Sequence, residues 1–279
     1  MAITNFIPTV WSETLFEALD KQYVAVRNCN REFDGEIKEK GSKVKICGVG
    51  SVDIFDYTKN TDMSSMQTLS DTVVELDIDR ARAFNFQIDD IDRAQCTPKL
   101  MKAAMRVAAS ALANDADTYV YSLYSSVSSD KTITNEETTA QNIIDNIISA
   151  REKLYSGNVG DNNEIVIEVS PAVASLILKA KVTLSNDTSD SALDGGVLGT
   201  IAGCKIYVSN NIQTAAEGGV TYHKCFVRTK RAIAFADQLS EICAYRPESR
   251  FADAVKGLHL YGAKIIYPNE LVLLNLGIA

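Results

Sequence analysis

The stretch between Ser51 and Ser70, which includes YTKNTDMSSMQTLS, has little hydrophobic periodicity and almost no core-forming residues. Strand patterns stand on both sides of it. Before it, Gly35-Glu36-Ile37-Lys38 and Lys43-Val44-Lys45-Ile46-Cys47 alternate briefly, punctuated by Gly41, Gly48 and Gly50. After it, Val74, Leu76 and Ile78 fall on one face and Glu75, Asp77 and Asp79 on the other, because strand side chains alternate. Phe84, Phe86 and Ile88 keep that parity, interrupted by Arg80 and Arg82. Long polar excursions inside a compact domain are functional or disordered. Ordered stems favour the first, in the form of a projecting β-arm. The lysine face (Lys43, Lys45) and the acidic face (Glu75, Asp77, Asp79) predict a cross-strand charge ladder within the chain. The alternative is an arm that offers those charges to another subunit.

The rest of the chain has enough apolar material to support such an arm. At 279 residues and 46% hydrophobic it buries a core without disulfide or metal staples. Lys and Arg number 28 against 36 Asp and Glu, for a net charge of -8, which argues against a reader of nucleic-acid sequence. The first residues lack the basic and apolar regions of a secretory signal. No run approaches the roughly 18 apolar residues of a membrane-spanning helix. LVLLNLGIA at the end reads as a buried strand. Without a secretion signal the six dispersed cysteines (Cys29, Cys47, Cys96, Cys204, Cys225, Cys243) are expected as reduced thiols. The sequon at Asn186-Asp187-Thr188 is read as a chance match.

The element order predicts an α+β fold. A short amphipathic helix begins near Trp11, with Leu15, Phe16, Leu19 and Tyr23 on its stripe. Thr97-Pro98 opens a long helix that runs without Pro or Gly to about Val127. Its predicted stripe is Leu100, Ala104, Ala108, Ala111, Tyr119 and Leu123, with Leu112 and Val120 beside it. Ser128 to Asn135 reads as a turn. Thr138-Thr139-Ala140-Gln141 fits a capping box for a helix that Gly157-Asn158 stops. Glu164–Val169 is a predicted strand, Pro171 starts a further helix, and Cys204–Val208 is a strand after a polar, glycine-bearing loop. Later strands are expected near His223–Thr229, Ala232–Ala236, Glu241–Tyr245, and from Gly257–Tyr261 into Ala263–Tyr267.

A search for chemistry finds no catalytic, cofactor-binding or metal-ligating set. Gly48-Val49-Gly50-Ser51 is half a dinucleotide fingerprint, and Gly195-Gly196-Val197-Leu198-Gly199 lacks the Lys-Ser/Thr of a phosphate loop. Both read as turn glycines. His223 and His259, the two histidines, lie in β-patterned segments as packed or hydrogen-bonded side chains. Asp89, Asp90 and Asp92 lack calcium-loop spacing and read as acidic residues ahead of the long helix. The cysteines have no zinc spacing.

Four stretches, in order, resemble the major capsid proteins of tailed bacteriophages, which share the Hong Kong 97-type coat fold with encapsulin shells. They are FIPTVWSETLFEAL, NREFDGEIKEKGSKVKICGVG, VLGTIAGCKIYVSNNI and FADAVKGLHLYGAKIIYP. The resemblance implies an N-terminal arm over 1–33, an extended E-loop over 34–93 and a peripheral domain with its spine helix over 94–156. It further implies an axial domain over 157–230, peripheral return strands over 231–266 and a C-terminal strand near the axial domain over 267–279. It implies a non-catalytic coat protein without cofactors that self-assembles, as hexamers and pentamers, into the icosahedral head of a virion. The partners implied are a portal, separate scaffolding or cement proteins, and double-stranded DNA enclosed without sequence reading, with assembly in the host bacterial cytoplasm and no membrane. The alternative within the same family is an encapsulin-like compartment holding enzyme cargo. Lys59 lies in the arm, but neither it nor an acceptor Asn matches the family's Lys–Asn crosslink, so it reads as a solvated lysine.

Overall fold

The computed structural model describes Leu19, residues 22–33, 43–49, Asp56, Lys59, 71–89, 100–159, 164–184, 197–201, 203–249 and 251–278. Trp11, Leu15 and Phe16 of the expected N-terminal helix, the Thr97-Pro98 start, Asp90, Asp92, Cys96 and loop residues 185–196 lie outside these.

Three sheets organise the described residues. β1 (Lys43–Val49) and β2 (Asp71–Asp77) form an antiparallel hairpin stem. β3 (Arg80–Asp89), β10 (Ile233–Tyr245) and β11 (Ala252–Ile265) form a second sheet in the order β10-β11-β3. The large sheet runs β4-β12-β9-β5-β7-β6, with β8 also paired to β9. Its strands are β4 (Thr132–Asn135), β5 (Ile165–Val169), β6 (Val197–Ile201), β7 (Cys204–Val208), β8 (Thr214–Glu217), β9 (Val220–Thr229) and β12 (Leu271–Ile278). α1 (Leu100–Ser122) packs on β3 and β11, and α2 (Ile143–Ser156) on β9, β12 and α3 (Pro171–Leu184).

The expected long strand after residue 70 is two strands. It breaks at Ile78-Asp79, so that β2 pairs with β1 while β3 crosses to β11. The expected strands at 232–236 and 241–245 are one strand with a register shift between Ser240 and Cys243, and the strand expected from 257 to 267 is part of β11, which starts earlier, at Ala252, and ends at Ile265. Ser128 to Asn135, read as a turn, ends in β4, which pairs in parallel with β12. The buried row of α1 is Met105, Ala109, Leu112, Ala113, Ala116 and Val120; Ala111 of the expected stripe is exposed. At 23 residues the helix is about 35 Å long.

The capping box is not used. α2 starts after Asn142, whose side chain accepts from the Thr139 amide at 2.8 Å and donates to the Glu137 carbonyl. At its other end Asn158, not Gly157, takes the left-handed conformation, with φ 57°. The Asn158 and Val159 amides donate back to the carbonyls of Tyr155 and Leu154, a Schellman closure. Gly48 lies in a strand, whereas Gly199 does supply a positive φ, 113°.

Most buried side chains form one core between the helices and the two larger sheets. A second, small core holds Val44, Ile46, Leu76 and Ile78 of the hairpin region against Ala234, Ala236 and Leu260.

Candidate functional site

Two structural features are distinctive: the mounting of the hairpin stem, and a set of buried charges around residues 22–33. The stem is fixed from below and from its flank. Its apolar face packs on the small side chains of β10, and Lys264 Nζ donates to the Glu75 carbonyl at 2.6 Å. Gly262 sits under the Asp77 carbonyl, where any Cβ would collide with that oxygen. The charge ladder forms within the chain: Lys43 Nζ lies 2.8 Å from Glu75 and 3.5 Å from Asp77. Asp79 joins neither lysine; it accepts from Tyr119 on α1, over whose ring Arg80 lies at 4.8 Å. Arg82 pairs with Asp115 at 2.8 Å, and Asp115 also accepts from Tyr261. The strand switch at residues 78–80 is therefore tied to α1 by polar contacts on both sides.

The buried charges belong to four separate elements. Asp117 on α1 accepts the backbone amides of Val24, Ala25 and Val26 at 2.9–3.1 Å. Burial pushes its carboxyl up to about 6, against the lowering effect of those amides. Arg228 on β9 is fully buried, pairs with Glu168 on β5 through two nitrogens (2.9 and 3.1 Å), and donates to the carbonyls of Ala25 and Asn28. Burial works against the Arg228 charge, but Glu168 outweighs it and holds the guanidinium protonated. Asn28 donates its side-chain amide to Glu168 at 3.0 Å. Asp237 on β10 accepts from Tyr23, Arg31 and His259 at 3.1–3.2 Å. Burial raises Asp237, but the His259 hydrogen bond and the Arg31 charge bring it below the ordinary carboxylate value.

His259 is thus a packed, hydrogen-bonded residue, as its β pattern predicts. His223 lies on β9, where burial lowers its pKa, far along the chain and in a different sheet from His259. Asp89 ends β3 and is exposed. Cys29, Cys204 and Cys225 are buried free thiols, and burial pushes Cys29 and Cys225 up to about 12. Among the described residues no group of three metal-ligating side chains converges, and no helix is long and apolar enough to cross a membrane. A cleft of about 450 Å³ opens on the second sheet, lined by Ala83, Asn85, Cys243, Lys256 and Leu258. It brings together no paired acid and base.

Sequence reasoning missed the buried charge set. A signal was present: Glu168 inside IVIEV and Arg228 inside CFVRT are single, opposite charges in otherwise apolar strands. Charges so placed need each other.

No family profile matches the chain, and no curated protein matches its sequence. Solved structures do. A structure from Mycobacterium phage Che8 is 27% identical, over 91% of both chains, with a TM-score of 0.70. The capsid of Ralstonia phage GP4 is 10% identical, over 95% of this chain and 91% of that one, also with a TM-score of 0.70. An encapsulin complex from Synechococcus elongatus is more distant, at 11% identity over 86% and 83%, with a TM-score of 0.57. The chain has the mixed α/β fold of tailed-phage major capsid proteins.

Proposed function

We propose that this chain is the major capsid protein of a tailed bacteriophage, a non-catalytic subunit that self-assembles into the head shell of the virion. The observation that carries this is the likeness over nine-tenths of the chain to phage structures, including one at 27% identity. The Hong Kong 97-type layout assigns 1–33 to an N-terminal arm, 34–93 to the E-loop and 94–156 to a peripheral domain with α1 as its spine. It assigns 157–230 to the axial domain, 231–266 to the peripheral return strands and 267–279 to a C-terminal strand near the axial domain. A hairpin stem held on its own small core supports this reading, because a projecting contact arm needs a stiff base. Arms of this kind give contacts that many weak interfaces add together across a closed shell.

In this reading hexamers and pentamers of the chain enclose double-stranded DNA and meet a portal, with scaffolding and cement functions on separate proteins and assembly in the host cytoplasm. The acidic balance suits a lining that does not grip phosphate. The encapsulin likeness keeps a second reading in view, a shell around enzyme cargo.

Electron microscopy of the purified protein tests the main reading: closed shells are expected from the full chain, and folded but shell-deficient subunits from a deletion of residues 52–72. Normal shell yield from that deletion would remove the assembly role of the loop. Particles isolated from the natural source should contain DNA; enzyme cargo in its place would select the second reading.

A further inference from the structure

Residues 22–33 contribute an apolar contact set (Tyr23, Ala25, Val26) to the main core, yet their polar attachment is the unusual part. The segment turns once as a 3-10 helix, Val26–Asn28. The amides of Val24, Ala25 and Val26 donate to the Asp117 carboxylate, and the carbonyls of Ala25 and Asn28, one ahead of the turn and one at its end, accept from the Arg228 guanidinium. The polar backbone groups of the turn are thus met by opposite charges from two different elements. Beyond the turn, the Asn30 amide donates to the Ile233 carbonyl and the Phe235 amide to the Asn30 carbonyl, adding a parallel bridge to β10. Tyr23 and Arg31, on either side of the turn, both reach Asp237 on the same strand.

The segment therefore bonds to α1, to the large sheet and to the second sheet at once. Besides the longer path from β3 through α1 to β4, the chain passes between those sheets by two short connections. β9 passes to β10 through residues 230–232, and β11 returns to β12 through 266–270, side by side. A clasp closes this joint: the Ile266 and Tyr267 amides donate to the Ala232 carbonyl, and Glu270 accepts from Thr229 and Arg231. Two short connections lying together leave the angle between the sheets to the apolar packing of the shared core and α1, unless a further polar tie fixes it.

We propose that residues 22–33 are that further tie, a strap whose ionic attachment to Asp117, Arg228–Glu168 and Asp237 fixes the angle between the two sheets. Displacing the strap frees the inter-sheet joint while each sheet keeps its own fold. Buried ion pairs are poor sources of net stability compared with apolar packing, but they are exacting about geometry. That is the property a removable restraint needs. The inference concerns the single subunit and stands or falls independently of which shell the chain builds.

Hydrogen exchange on the full-length chain, read in unassembled subunits, tests this with Asp117→Asn and the milder Arg228→Lys. The expected result is about tenfold faster exchange at strap amides 24–30 together with the joint amides of Ile266 and Tyr267. Amides central to β9, β11 and β12 should stay as protected as in the parent. Unchanged joint amides in a variant whose strap is exposed would overturn the proposal. So would loss of protection in both sheets together with the strap. If both variants fail to fold, the parent chain at low urea decides: strap and joint must open together below the global transition, and exchange of either only through global unfolding counts against the strap.

Discussion

Arg228 shows how a residue can be costly and still specified. Its side chain is fully buried beside Glu168, also fully buried, on neighbouring strands. Arg228→Met takes from Glu168 its ion-pair partner and leaves it the Asn28 amide, and breaking a buried pair by removing one partner costs about 3–5 kcal/mol. Urea unfolding of the subunit should show that loss, and Arg228→Met/Glu168→Met together should recover most of it. Asp117 makes a different statement, because its pKa is raised, to about 6 from 3.8. A carboxyl whose folded pKa lies above its unfolded one supports the fold fully below the unfolded value and loses that support as pH rises through the folded one. The thermal midpoint of the parent chain, minus that of Asp117→Asn at each pH, should therefore fall between pH 4 and about 6.5. A difference that rises over that window would show that the three strap amides outweigh burial in setting this carboxyl.

At the scale of elements, the hairpin stem is a small structure borrowed by a larger one. Two strands alone are marginal in water, so β1 and β2 depend on the surface of β10 and β11 beneath them. Gly262→Ala drives a methyl group into the Asp77 carbonyl oxygen and should lift the stem without unfolding the main core. Leu76→Ala, which empties the middle of the second core, should cost about 2–5 kcal/mol locally. Both should appear as faster exchange over 43–49 and 71–77 with α2 and β12 unchanged; equal loss everywhere would mean that the two cores are one. The stem is also where the sequence was most informative, since alternation alone predicts the Val74–Leu76–Ile78 face and the Lys43 ladder. What alternation cannot show is which strand a residue pairs with. Hence the break at Ile78-Asp79, where the chain changes sheets without changing parity, reads as continuous. β4 was illegible for the same reason: TITN becomes a strand only through β12, about 140 residues later in the sequence. The strap was less legible still, because VRNCNR has no period and all its charged partners lie far along the chain.

For the whole molecule, the question is what the isolated subunit leaves unfinished. β3 is ten residues long, ends the second sheet among the described strands, and contains no buried residue. Phe84 and Phe86 are only partly covered, although they stack on each other at 6.1 Å between centroids and contact the main core. An edge of that length invites further pairing, and proteins normally blunt it or cover it. In a closed shell each subunit is surrounded by copies, and what binds only the folded state raises its stability by mass action. Assembled particles should therefore melt above dissociated subunits of the same chain. Amides in 80–89 that do not bond to β11 should gain protection on assembly, while those of β12, interior to the large sheet, should change little. Equal exchange of β3 in particles and subunits would mean that this strand faces solvent in the shell, and the contacts closing the particle would have to lie on the hairpin and the large sheet instead.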